Sequence, residues 1–180
     1  IVKKLNAIEN FGSMTVMCSD KTGTITQGKV KLDAALDCNG NKSANIYRLA
    51  AINSHFQEGY ANPIDSAILD NNTDSFSNYE KLFEIPYSFE TKLLSVIVRT
   101  GQNSSEKNIM VTKGALTNVL NACKSYESSD NSTGNIEDVK TQILDMFDKY
   151  SSQGYRVLGV SYKFVDDSAD IKNQSAEEMI

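Results

Sequence analysis

A carboxylate, a lysine, a glycine and several hydroxyl groups follow one another in the run Asp-Lys-Thr-Gly-Thr-Ile-Thr at residues 20–26. The Asp20 carboxylate can attack a phosphoryl group and form an acyl phosphate, which is a recognised form of nucleophilic catalysis. Lys21 adds positive charge, and the glycine allows the backbone to approach a phosphate. Thr22 and Thr24 offer hydroxyl or backbone groups to phosphate oxygens and Mg²⁺. Because phosphoryl transfer depends on positioning and charge neutralisation, this set is adequate only together with a metal ion.

A short apolar stretch, Met14–Ser19, precedes this run and predicts a buried strand that ends at the carboxylate. In open α/β sheets, ligands bind in the crevice at the carboxyl ends of the strands, so this strand would deliver Asp20 to such a crevice. The alternative is a strand that ends in an Asx-turn, where Asp and Gly serve only the backbone. We favour the chemical interpretation because the whole heptapeptide, and not Asp and Gly alone, fits it.

The heptapeptide resembles the phosphorylation signature of the P-type ATPases. The resemblance implies that Asp20 is the phosphorylated nucleophile and that the backbone carbonyl of Thr22 helps to hold Mg²⁺. Phosphatases and mutases of the same haloacid-dehalogenase-like superfamily usually carry a second Asp at that position, as general acid and base. A threonine cannot accept the proton of an attacking water, so a phosphoenzyme at Asp20 should persist until another group catalyses its hydrolysis. Persistence favours a pump cycle over a simple phosphatase.

The resemblance extends along the chain and points to the bacterial magnesium-transporting branch of the family. In the stretches Asn53–Gly59 and Asn62–Leu69, the adenine-contacting acid of the family falls on Asp65. A carboxylate suits the exocyclic amino group of adenine, which is a pure hydrogen-bond donor. The alternative is an ordinary acid in the first turn of a helix, where it complements the helix dipole.

The stretch Glu84–Val96 resembles the family segment that supplies an adenine-stacking aromatic residue and a nearby lysine. The aromatic residue falls on Tyr87 and the lysine on Lys92. Either Phe or Tyr can stack on a purine, and strand alternation would place Phe89 on the same face as Tyr87. Phe89 is therefore the second candidate, and core packing is the alternative role for either ring.

Two further segments complete the nucleotide site that the resemblance implies. Lys113-Gly114-Ala115 follows a β-branched strand and looks like the Lys-Gly-Ala element of the family, in which glycine lets the backbone approach a flat base. Arg156 matches the family arginine that contacts nucleotide phosphates, and a guanidinium fits phosphate geometry bidentately. A salt-bridged strand arginine is the alternative role for Arg156.

Helices and strands alternate along the rest of the chain and would position these side chains. Hydrophobic periodicity, caps and β-branched runs predict helices over about 43–57, 62–69, 115–122 and 136–152, and strands over Leu82–Pro86, Leu93–Thr100, Asn108–Lys113 and Tyr155–Phe164. Polar stretches between them, including Ser125–Asn135, are expected to be surface loops. Neighbouring strands joined by short loops favour an α+β fold, a largely antiparallel sheet flanked by helices.

Three parts of the chain are expected from these patterns and from the resemblance. Residues 1–30 would be the start of a phosphorylation domain, a short piece of a haloacid-dehalogenase-like α/β domain. Residues 31–165 would form the nucleotide-binding domain. Residues 166–180 would be a polar tail or a linker back to the phosphorylation domain. The later phosphorylation motifs of the family do not appear in this sequence, so the resemblance implies a fragment that binds nucleotide without the full catalytic machinery.

Composition excludes several other classes of protein. The chain has 180 residues, and its 18 Lys and Arg against 23 Asp and Glu argue against a nucleic-acid binder, whose affinity needs a basic face. Three separated cysteines and one histidine cannot make a structural zinc site, which needs four such ligands at close spacing. No run of 18 apolar residues is present, so no direct membrane insertion of this chain is expected.

The combined expectation is the ATP-binding cytosolic domain of a P-type ATPase that transports magnesium, with calcium or a monovalent cation as alternatives. The resemblance implies ATP and Mg²⁺ as cofactors, and the remaining phosphorylation, actuator and transmembrane domains of the parent as partners. It places the domain on the cytoplasmic side of the plasma membrane, as part of an integral membrane protein. A phosphatase with a cap domain and a non-catalytic interaction module are the two alternatives.

Overall fold

The computed structural model describes residues 12–20, 24–25, 29–59, 62–70, 72, 75–101, 108–128, 130, 132–166 and 171–180. The chain divides into two compact units, residues 1–30 and residues 31–180. The described elements of the second unit are α1 (Ala44–Phe56), α2 (Pro63–Leu69), β1 (Tyr79–Ile85), β2 (Leu93–Thr100), β3 (Asn108–Ala115), α3 (Leu116–Ala122), β4 (Ser125–Glu127), β5 (Thr133–Asn135), α4 (Ile136–Ser152), β6 (Leu158–Val165) and a 3₁₀ helix (Ile171–Asn173). Within the described part of the chain, no helix is long and apolar enough to cross a membrane.

A four-stranded antiparallel sheet forms the centre of the second unit, with the strand order β1-β2-β3-β6. Its two middle strands are buried almost throughout, as their β-branched sequences lead one to expect. Helices flank the sheet, so the predicted α+β arrangement is confirmed for this unit.

Local capping signals in the sequence set the starts of three helices. The Ser43 side chain accepts a hydrogen bond from the backbone N–H of Ile46 at the start of α1. Asn62 caps α2 in the same way, and Pro63 occupies the first turn, where its missing N–H costs nothing. Asn135 caps α4. These helices begin and end within one residue of the predicted positions because side-chain caps are encoded locally.

The two faces of the sheet bury separate apolar clusters. Alternate residues of β2 and β3 pack against α1, forming a cluster of Leu49, Ile52, Leu94, Val96, Val98, Ile109 and Val111. The opposite face contributes the cluster Ile97, Met110, Val165 and Met179. The period-2 alternation of side chains along a strand produces this division. Residues 171–180, which composition predicts as a polar tail or linker, thus place Met179 in the core, fully buried.

Two predictions of secondary structure are wrong. Ser125–Asn135, predicted as a loop, contains the two-stranded ribbon of β4 and β5. Met14–Ser19, predicted as a buried strand, lies in no strand, and Val16 and Met17 are 76% and 72% exposed. A strand exists only when a neighbour pairs with its backbone groups, and the described residues of the first unit contain no such neighbour for it.

Candidate functional site

Most of the predicted nucleotide-binding residues meet at one end of the four-stranded sheet. The connection from β1 to β2 carries Tyr87, Phe89 and Lys92, and β2 begins at the next residue. Leu93 pairs with Gly114 near the end of β3, and Gly114 pairs in turn with Gly159 near the start of β6. Arg156 lies two residues before the start of β6 and is therefore at the same end of the sheet. Antiparallel register thus brings three separate segments together.

Gly114 is required at this end because another backbone lies against it. An added Cβ would stand 2.2 Å from the carbonyl oxygen of Lys92, which is far inside van der Waals contact. The same oxygen accepts a hydrogen bond of 3.2 Å from the N–H of Ala115. Lys92 adopts φ 56°, a left-handed conformation that is uncommon for a lysine, and its side chain is exposed. The glycine thus permits a tight turn that presents the Lys92 side chain.

The aromatic pair at this end is exposed to solvent. Tyr87 is 49% exposed and Phe89 is 88% exposed, and their ring centroids lie 5.4 Å apart at an interplanar angle of 85°. The two residues lie in the connection after β1 and not on a strand face, so the placement by strand alternation is wrong. Large exposed aromatic side chains that face water are suited to stacking on a planar ligand.

A largely buried polar cluster consists of Lys113, Asp65, Ser54 and Gln57, and Lys113 directly precedes Gly114 at this end of the sheet. The Lys113 ammonium forms an ion pair with Oδ1 of Asp65 and donates to Oγ of Ser54 at 2.8 Å. Ser54 donates to the same Asp65 oxygen at 2.9 Å. Gln57 donates from Nε2 to the other oxygen, Oδ2, at 2.8 Å. The side chains of Lys113 and Asp65 are only 8% and 7% exposed, so the pair is largely removed from water.

Burial sets the charge balance of this cluster. It lowers the pKa of the Lys113 ammonium below its usual 10.5, although the hydrogen bond and the charge of Asp65 act in the opposite direction. Asp65 is therefore the group that favours the charged form of this buried lysine.

Packing of α1 on the sheet positions the cluster. Nδ2 of Asn53, a fully buried residue, donates to the carbonyl oxygens of Leu94 on β2 and Val111 on β3, at 3.3 and 2.9 Å. Ser54 follows directly and Gln57 caps the end of α1. Asp65 lies in the first turn of α2, which packs on α1 through Ala50, Ala51 and Ile68.

Sequence reasoning missed Asn53, Ser54 and Gln57 as members of the site. They belong to the stretch that carries the resemblance, and the spacing of three residues between Ser54 and Gln57 places these two on one helix face. That spacing is the feature of the sequence from which Ser54 and Gln57 could have been predicted as site residues. Arg156 is exposed, and no ion pair of this side chain is found in the described part of the chain.

The first unit carries the predicted phosphorylation residues. Asp20 and Thr24 are exposed, and the Ser19 hydroxyl donates to the carbonyl oxygen of Asp20 at 3.2 Å. Lys21 and Thr22, predicted to act with them, lie outside the described residues. Among the residues that the structure describes, no group of three or more His, Cys, Asp or Glu is placed to hold a metal ion.

Comparison with known proteins identifies related chains. The family model for the P-type ATPase cytoplasmic domain N matches residues 10–180. The chain is 35% identical over 170 residues to the magnesium-transporting ATPase, P-type 1, of Escherichia coli, covering 92% of this chain and 19% of the relative. The Salmonella typhimurium protein of the same name is 34% identical over 92% of this chain and 18% of its own. Calcium-transporting ATPase 1 of Bacillus cereus is 28% identical, over 91% and 20%. The chain thus spans about a fifth of the length of these relatives.

Proposed function

This chain belongs to the P-type ATPase family, as a cytoplasmic N domain, and we propose on that premise that residues 31–165 form a domain that binds ATP. The observation that carries the proposal is the sheet end described above, where the connection from β1 to β2 carries an exposed aromatic pair and β3 ends near a buried lysine that is paired with Asp65. The aromatic pair suits a planar base, and the cations of this end suit its phosphates.

The arrangement supports a division of labour within the bound nucleotide. Adenine stacks on Tyr87 or Phe89, and the backbone of Gly114 and Ala115 would face the edge of the base. Lys113 forms the positive floor of the site. Lys92 and Arg156, both exposed, supply mobile positive charge for the phosphates, and a guanidinium binds two phosphate oxygens at once. This local set of cations acts against the net charge of −5 carried by the whole chain.

In the parent protein, we propose that the γ-phosphate of ATP is transferred to Asp20. A carboxylate oxygen of Asp20 forms a bond to the γ-phosphorus as the bond to the β–γ bridging oxygen breaks and ADP leaves. Residues 1–30 would then be the first part of a haloacid-dehalogenase-like phosphorylation domain, and residues 166–180 would lead back to it. Exposure of Asp20 is compatible with attack on a ligand brought from outside its own unit.

Mg²⁺ would be held with Asp20 and the carbonyl of Thr22, which supply only part of a coordination shell of six oxygens. A bound Mg²⁺ would neutralise charge on the transferred phosphoryl group. The later phosphorylation motifs of the family, which would complete that shell, do not appear in this sequence, so we expect the isolated chain to bind ATP without turnover.

We further propose that the parent couples this reaction to transport of a cation across the plasma membrane, with this domain on the cytoplasmic side. Magnesium is the cation we propose, since two of the relatives described above are named for its transport. The partners of the domain would be the actuator, phosphorylation and transmembrane parts of the parent.

Titration of the chain with ATP, followed by amide chemical shifts, tests the central proposal. Shifts should move around Tyr87, Lys113 and Gly114 at millimolar ATP. Tyr87→Ala should weaken binding by roughly 5- to 160-fold, since stacking on one aromatic ring contributes roughly 1–3 kcal/mol.

Phe164→Ala provides the matched control. Phe164 is 52% exposed and contacts Tyr162 edge-on at 5.7 Å, but it lies near the far end of β6. This variant should bind ATP as the unmodified chain does. An absence of shift changes at the sheet end in millimolar ATP would refute ATP binding, and equal weakening by both variants would refute the stacking assignment.

A further inference from the structure

The orientation of the Gln57 side chain is determined by its partner. An ionised carboxylate offers only acceptors, so the hydrogen bond to Oδ2 of Asp65 must come from the Nε2 group of the amide. The carbonyl end of the same amide, Oε1, is therefore turned away from Asp65. No donor in the described part of the chain reaches this oxygen, and Gln57 is only half-buried. Among the described residues, Gln57 thus presents an acceptor that receives no hydrogen bond, in a direction set by its bond to Asp65.

Backbone contacts hold the chain at Gln57 near the end of β1. Its N–H donates to the carbonyl oxygen of Asn53 at 3.2 Å, which closes the last turn of α1. The next N–H, of Glu58, donates to Oε2 of Glu84 at 2.9 Å. Glu84 lies one residue before the end of β1, and the chain continues from that end to Tyr87. Gln57 is therefore anchored at the strand end from which the aromatic pair projects.

Asp65 has little capacity left for a ligand. Its two oxygens already accept hydrogen bonds from Ser54, Lys113 and Gln57, and the residue is 5% exposed. A carboxylate accepts about four hydrogen bonds in all. A base that stacks at the aromatic pair consequently meets the Gln57 carbonyl oxygen more readily than the Asp65 carboxylate.

We propose that Oε1 of Gln57 accepts the hydrogen bond of the exocyclic amino group of the purine, and that Asp65 is the positioning residue that keeps the amide in this orientation. The proposal rests on ATP binding at this site. It assigns selection of a 6-amino purine to Gln57, a residue that itself carries no charge.

Purine riboside triphosphate is a suitable probe because it differs from ATP only in lacking the 6-amino group. We expect the unmodified chain to bind ATP about fivefold more tightly than the probe, the equivalent of one net hydrogen bond. Gln57→Met removes the acceptor and keeps a similar side-chain length, so its ratio of the two dissociation constants should fall close to one. Asp65→Asn lets the amide turn over, so its ratio should also fall, whereas a purely structural defect would weaken both nucleotides equally.

Gln142→Met is the matched control, because the Gln142 amide on α4 also donates hydrogen bonds, to the carbonyl oxygen of Cys38 at 3.1 Å and to Oδ1 of Asn39 at 3.4 Å. It should keep the fivefold ratio. Circular dichroism establishes that each variant is folded, and Gln57→Ala serves as a second variant if Gln57→Met is not. Measurable ATP binding with the same ratio in the unmodified chain and in Gln57→Met would overturn this inference and leave the proposed function standing. No binding of ATP by the unmodified chain would overturn both.

Discussion

Removal of one charge from the buried Lys113–Asp65 pair should destabilise the second unit strongly. Asp65→Asn keeps the shape of the side chain and leaves the Lys113 ammonium, 8% exposed, without its counter-ion. Breaking a buried pair from one side costs about 3–5 kcal/mol, because the remaining charge stays desolvated. Lys113→Met should cost less, since Ser54 and Gln57 still donate to the Asp65 carboxylate. The double variant buries no unpaired lysine. Its loss of stability should therefore be at least about 1 kcal/mol smaller than the sum of the losses in the two single variants.

The loss of stability in Asp65→Asn should also depend on pH, and the titration of Lys113 decides whether the loss grows or shrinks as the pH rises. Burial lowers the pKa of this lysine below 10.5 in the folded chain, so between the lowered value and 10.5 the unfolded chain binds more protons. Stability therefore rises with pH in that window. In Asp65→Asn, the hydrogen bond and the charge of Asp65 no longer raise the pKa of Lys113, so this pKa falls further. The pH range in which stability rises therefore begins at a lower pH. The stability deficit of the variant should narrow as the pH approaches 10.5.

Urea denaturation followed by far-UV circular dichroism measures these free energies, and the absence of tryptophan makes circular dichroism preferable to fluorescence. Glu80→Gln is the control, since Glu80 pairs with Arg99 at 3.4 Å with 67% of its side chain exposed, and it should cost less than about 1 kcal/mol. A cost of Asp65→Asn no greater than that of Glu80→Gln, or a deficit that widens with rising pH, would refute the reasoning.

Two other changes test the site and its surroundings. Gly114→Ala places a Cβ 2.2 Å from the Lys92 carbonyl oxygen, so it should lower the free energy of unfolding by about 1–3 kcal/mol and weaken ATP binding in a titration. Gly154→Ala is the control, because Gly154 has φ 86° but open space around it. It should lower the free energy of unfolding by about 1 kcal/mol and leave ATP binding intact. Burial raises the pKa of the Cys123 thiol to about 11, so near pH 8 only about one molecule in a thousand carries the thiolate. Timed alkylation read by mass spectrometry should therefore modify exposed Cys18 well before Cys123, and equal rates would contradict the burial of Cys123.

Local signals in the sequence were sufficient to predict many of the helices and strands. Ser43, Asn62 with Pro63, and Asn135 each encode a helix start, because a cap needs only residues within one turn. The run of β-branched residues from Leu93 to Thr100 likewise predicts β2 at its observed bounds. Strands without such signals were missed or misplaced. The three-residue strands β4 and β5 are polar, and only their pairing makes them strands.

The sequence, through its residue types and its resemblance to the family, predicts which side chains of this chain do chemistry: the aspartate of the phosphorylation signature, the aromatic pair, and the cations Lys92, Lys113 and Arg156. Tertiary structure decided how they combine. Asp65 and Lys113 are 48 residues apart, and they meet because the β2–β3 register and the packing of α2 on α1 bring their elements together. Ser54 and Gln57 join them for the same reason. The partners of a buried charge depend on which elements pack around it, and no local spacing in the sequence specifies that packing.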